Sequence, residues 1–97
     1  KTYFENRFEN DIEIKVFPNP VNEIINIHLV SKTNQEMNIA IYDFYGSKII
    51  NLSKEIIPIG ETRLSFNTKS LDLNAGIYYL KCSSNKTESC TKLLIMN

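Results

Sequence analysis

The chain has 97 residues, 42% of them apolar, and eleven basic side chains balance eleven acidic ones. That length holds one domain with a modest core and not two. A neutral chain lacks the basic excess of a nucleic-acid or anionic-membrane surface, and no apolar run approaches the roughly 18 residues that cross a bilayer as a helix.

The apolar set favours sheet. There are fourteen isoleucines, ten aromatics and only two alanines, and β-branched and aromatic side chains suit a pleated surface better than a helix. The opening KTYFENRFEND has no apolar core of a signal peptide and begins with Lys. It reads as a segment of a longer chain, with any export signal upstream. Residues 1–12 are expected to be a linker from upstream cargo, and residues 13–97 the folded domain.

EIKVF (13–17) stops at Pro18 and reads as an edge strand. EIINIHLV (23–30) puts Ile25, Ile27 and Leu29 on one face. EMNIAIYD (36–43) does the same with Met37, Ile39 and Ile41, and FYGS then turns the chain through Gly46. KIINLS (48–53) follows, broken by Pro58 and Gly60. TRLSFN (62–67) sends Leu64 and Phe66 inward, and TKSLDLNA is a connection with room for one helical turn. GIYYLKCS (76–83) and SCTKLLIM (89–96) flank a turn around SNKT. Seven short strands with frequent turn signals are the pattern of an all-β sandwich or barrel; the stretch LDLNAGIYYLKC favours an immunoglobulin-like sandwich of antiparallel strands.

Chemistry-bearing patterns are sparse. His28 stands alone, with no nucleophile motif beside it, and reads as a surface or rim histidine. One histidine and two separated cysteines do not make a metal site. The three glycines are isolated turn residues rather than a phosphate loop, and no calcium loop appears. The expectation is a chain without catalysis, cofactor or metal. Cys82 and Cys90 flank the last turn. A three-residue loop would face them for a disulfide, whereas a two-residue loop would set Cys82 opposite Ser89 and leave two thiols.

LDLNAGIYYLKC carries the strongest fold signal. Leu73, Gly76 and Tyr78 resemble the tyrosine corner of immunoglobulin-like sandwiches, in which the hydroxyl bonds back to the connection it crosses. Tyr78 shares a face with Leu80 and Cys82 and is expected inward.

Together the pieces resemble the type A C-terminal sorting domain of the type IX secretion system. Pro18-Asn19-Pro20 matches the early Pro-x-Pro, and Ile41-Tyr42-Asp43 with Gly46 matches the apolar-Tyr-Asp turn. Leu73, Gly76, Ile77 and Tyr78 match the later Leu-x-x-Gly-apolar-Tyr, and Lys92 to Met96 the closing Lys-plus-apolar run. The resemblance covers about Glu13 to Asn97; the two cysteines depart from it.

It implies a non-catalytic secretion signal at the end of a cargo protein in Bacteroidetes-type Gram-negative bacteria. The partners it implies are the outer-membrane translocon, a shuttle protein and a surface sortase, with passage through the periplasm to the cell surface or medium. It implies neither nucleic acid nor membrane insertion. The recognition candidates are Pro18, Asn19, Pro20, Tyr42, Asp43, Gly46, Leu73, Gly76, Tyr78, Lys92 and Leu94. The two prolines should hold their segment extended, with little entropy to lose on binding. The alternative is a generic extracellular adhesion or carbohydrate-binding module, for which Tyr3, Phe44 and Tyr45 are the aromatic candidates.

Overall fold

The computed structural model describes residues 12–85 and 88–96. Its strands are β1 (Ile12–Phe17), β2 (Ile24–Ser31), β3 (Gln35–Asp43), β4 (Lys48–Ile57), β5 (Gly60–Asn67), β6 (Gly76–Ser83) and β7 (Glu88–Ile95). All seven expected strands are present, each end within four residues of its expected place. The largest extension is β4, which runs on to the residue before Pro58. The linker expected over residues 1–12 lies outside the described residues up to Asp11; Ile12 is already paired with Ser31 and buried.

Two sheets form, in the orders β1-β2-β5 and β4-β3-β6-β7, and every strand pairing is antiparallel. The alternating faces of the sequence meet between them. β2 contributes Ile25, Ile27 and Leu29, β3 contributes Met37, Ile39 and Ile41, and β6 contributes Leu80 and Cys82. Leu93 and Ile95 of β7 close one side, with Val21 and Leu73 from the connections. Each fully buried aliphatic side chain of this kind contributes about 1.5–3 kcal/mol.

Leu64, Phe66 and Tyr78, expected in the core, are only partly buried and pack against it. The reason is position. β5 is the outer strand of its sheet, so its inward side chains are covered from one flank only. Tyr78 stands near the start of β6, where its hydroxyl reaches back to the preceding connection.

The connection after β5 explains itself locally. Asn67 Oδ1 accepts the N–H groups of Lys69 (2.8 Å) and Ser70 (3.2 Å), as a helix cap does. Leu73 N–H then reaches Thr68 C=O at 3.0 Å, and Asp72 N–H reaches Lys69 C=O at 3.0 Å, with Asp72 at φ 60°. That is the bonding of a Schellman ending on a single turn. It drops Leu73 into the core and sets the backbone of Asn74 beside β6.

The segment between β1 and β2 departs from expectation. Pro18 to Pro20 forms bends rather than an extended run, and both the Phe17-Pro18 and Asn19-Pro20 peptide bonds are cis. Val21 then crosses to the other sheet and pairs in parallel with Ile95 of β7.

Candidate functional site

The residues singled out from four separate stretches of sequence gather at one end of the four-stranded sheet. Cross-strand pairing brings Asp43 to Tyr78 and Tyr78 to Leu93 in one row. In the next row, Tyr42 pairs with Tyr79, and Tyr79 with Lys92. Ile77 pairs with Leu94. Successive side chains alternate between faces, so Tyr78 points inward while Tyr42, Lys92 and Leu94 point out.

Asn19 joins the first stretch to the last. Its Nδ2 donates to Lys92 C=O at 2.9 Å, and its Oδ1 accepts Leu94 N–H at 3.1 Å. Val21 continues the line: its N–H donates to Leu94 C=O at 2.7 Å, and its C=O accepts Met96 N–H at 2.8 Å. A side-chain amide and one residue of backbone thus satisfy four groups along the outer edge of β7. An open edge of this kind would otherwise offer itself to another chain. Pro20 completes an open hollow there with Asn19, Lys92 and Leu94, and Pro18 is exposed beside it.

Asp43 and Gly46 build the β3–β4 turn. Asp43 Oδ1 accepts from the backbone of Tyr45 and Ser47, each at 2.9 Å, and Gly46 N–H donates to Asp43 C=O at 3.1 Å. Gly46 sits at φ 92°, where a side chain would be strained. Tyr42, one residue earlier, has Lys81 Nζ 4.9 Å from its ring centroid, a cation–π distance.

Leu73, Gly76 and Tyr78 form the tyrosine corner. The Tyr78 hydroxyl donates to Asn74 C=O at 2.8 Å, tying the start of β6 to the connection before it. Gly76 takes φ 154°, which side-chain-bearing residues rarely adopt. Tyr78→Phe is expected to lower unfolding free energy by about 1 kcal/mol, the net worth of one hydrogen bond. Urea denaturation measures it, and an unchanged midpoint would show the bond to be idle.

Of the two cysteine registers, the one observed sets Cys82 opposite Ser89 and Cys90 opposite Lys81. Both are free thiols, Cys82 buried and Cys90 exposed. The possible disulfide is therefore absent: residues one step out of register point to opposite faces of the sheet. Burial first, and then nearby Cys90, pushes the Cys82 thiol from 9.0 to about 12. The thiolate is the reactive form. Iodoacetamide at pH 8 should therefore alkylate Cys90 and spare Cys82 until the chain is unfolded. Stability should also fall as pH climbs from about 9 towards 12, because the unfolded chain loses a proton there that the folded one keeps. Equal labelling of both thiols in the folded protein would contradict this.

His28 is largely covered, with Nε2 3.4 Å from Glu61 Oε2. Among the described residues no group of three or more His, Cys, Asp or Glu is placed to hold a metal ion. Sequence reasoning missed Tyr79 and Lys81, which share the outward face of β6, and Lys48, the cross-strand partner of Tyr42. The signal for Tyr79 and Lys81 was the alternation of GIYYLKC, in which they fall between the inward Tyr78, Leu80 and Cys82; Lys48, beside a register shift in β4, had none.

The chain matches the family of secretion system C-terminal sorting domains over residues 15–96. No curated protein sequence matches it. Among solved structures it resembles part of dimeric latent PorU from Porphyromonas gingivalis, with a TM-score of 0.69 and 18% identity. That likeness covers 88% of this chain and only 9% of the PorU chain, and at this identity it is a likeness of fold. The match spans all the turn, corner and edge residues described above, and the chain belongs to the secretion system C-terminal sorting domain family.

Proposed function

We propose that this domain is a non-catalytic address that directs an upstream cargo through the type IX outer-membrane translocon. A surface sortase then removes it as the cargo is attached or released. Its route runs through the periplasm to the cell surface or medium, and its partners are the translocon, a shuttle protein and the sortase. The observation that carries this reading is the gathering of the four motif stretches at one end of one sheet, in a chain of the sorting family. Several of these residues have structural work: Asp43 and Gly46 make a turn, Leu73 fills the core and Tyr78 ties a corner. Tyr42, Lys92 and Leu94 face outward, where a receptor could reach them.

An adhesive or carbohydrate-binding module would call for a flat aromatic platform. Phe44 and Tyr45 are exposed at the β3–β4 turn, but their rings stand at 78° to each other, edge to face. The sorting reading is tested by fusing these residues behind an inert reporter in a host that carries this secretion system. The reporter should reach the surface or medium; a reporter held in the periplasm by the intact domain would refute the reading.

A further inference from the structure

The outward face of the four-stranded sheet carries a charge pattern that the neutral chain as a whole does not explain. Lys48, Tyr42, Tyr79 and Lys92 are cross-strand partners over β4, β3, β6 and β7, the Lys48–Tyr42 step following a register shift that passes over Ile49. Three steps of about 4.8 Å set the two lysine backbones about 14 Å apart. Lys81 is on the same face of β6, two residues beyond Tyr79, and lies over the Tyr42 ring. The row on the other side holds Ile77 and Leu94, 36% and 39% exposed.

Three of the four acids in this sheet's strands are elsewhere. Glu36, Glu55 and Glu88 belong to its opposite end, and Glu88 Oε2 lies 3.8 Å from Lys81 Nζ. Asp43 is the carboxylate closest in sequence to the row, and its Oδ1 is taken by the backbone of its own turn. Among the described residues no carboxylate lies within 4 Å of Lys48 or Lys92. Among the described residues, Lys48 and Lys92 therefore stand at the two ends of a pair of tyrosines with no carboxylate in ion-pair reach.

We propose that this strip docks an extended, acidic peptide segment of a protein partner. Carboxylates four residues apart in an extended chain are separated by about 13 Å and lie on one face of it. They match Lys48 and Lys92, while the tyrosine rings and the Ile77–Leu94 row supply apolar contact between and beside them. Opposed charges at such a surface speed encounter and set orientation. The proposal deepens the sorting reading by naming the chemistry of its partner, and rests on that reading only for the partner's place in secretion.

The test uses the purified chain and a fluorescent ten-residue peptide with glutamate at every fourth position among serines, followed by anisotropy at low salt. The peptide should bind, and more weakly as salt rises. A matched peptide with glutamine in place of glutamate should not. The double variant K48Q/K92Q should weaken binding about tenfold, as expected for two exposed charge contacts. K15Q/K32Q, on the other sheet and its loop, should leave binding unchanged, and both variants should melt with the wild type. No binding, equal binding of the glutamine peptide, or an equal loss in K15Q/K32Q would overturn the proposal. Binding to phosphatidylglycerol vesicles without binding to the peptide would overturn it too, in favour of a lipid surface. Because this measurement needs no export, it can fail while the reporter fusion succeeds, and the reverse.

Discussion

A reporter fused to this domain without residues 89–97 should stay in the periplasm. β7 is not a trailing end. Leu93 and Ile95 are fully buried, and β6 depends on β7 for one whole flank of hydrogen bonds. Deleting even one large aliphatic side chain from a packed core costs about 2–5 kcal/mol, and a domain of this size has only about 5–15 kcal/mol to lose. The truncation removes two such side chains, the hydrogen bonds of Val21 and Asn19, and the cover over the edge of β6. The truncated domain should be digested rapidly by added protease, and its reporter should be found by cell fractionation in the periplasm. Normal surface export of this fusion would show that neither the last strand nor the folded sandwich is needed for the address.

Processing should occur ahead of the sandwich. A protease or sortase needs an accessible, extended backbone, and strand pairing removes that accessibility. Residues 1–12 carry no proline, no glycine and no alternating strand pattern. The cut is expected before Ile14, either there or further upstream. Pairing of Ile12 with Ser31 and its burial favour a site ahead of Ile12. The shed fragment would then retain Pro18, Asn19 and Pro20 together with β7, so the clamp of Asn19 on Lys92 and Leu94 would leave intact. Mass spectrometry of the fragment released by exporting cells gives its N-terminus directly. A terminus within residues 20–97 would mean that the sandwich itself is opened during processing.

Much of this molecule is legible in the chain because its signals are local. Alternation in INIHL and MNIAI placed β2 and β3 and named their core faces. Asp43 with Gly46 announced a turn, and TKSLDLNA a connection with room for the single helical turn that Asn67 caps. Leu73, Gly76 and Tyr78 announced a corner whose hydroxyl bond to Asn74 is present. Each of these depends on neighbours a few residues away, where side-chain type controls backbone preference and hydrogen bonding.

Tertiary structure alone decided the rest. Leu64 and Phe66 have the same alternating signature as Ile25 and Ile27, yet they are less buried because β5 became an outer strand, and strand order leaves no mark on alternation. The cysteine pairing turned on a one-residue difference in register, which sends a side chain to the opposite face. Asn19 meets β7 across more than seventy residues, through a side-chain amide and two backbone groups. Backbone N–H and C=O groups are the same at every non-proline position, so no sequence pattern specifies which of them a distant amide will find. The lysine–tyrosine row has the same origin: Lys48, Tyr42, Tyr79 and Lys92 lie on four strands, and only the pairing of those strands makes them neighbours.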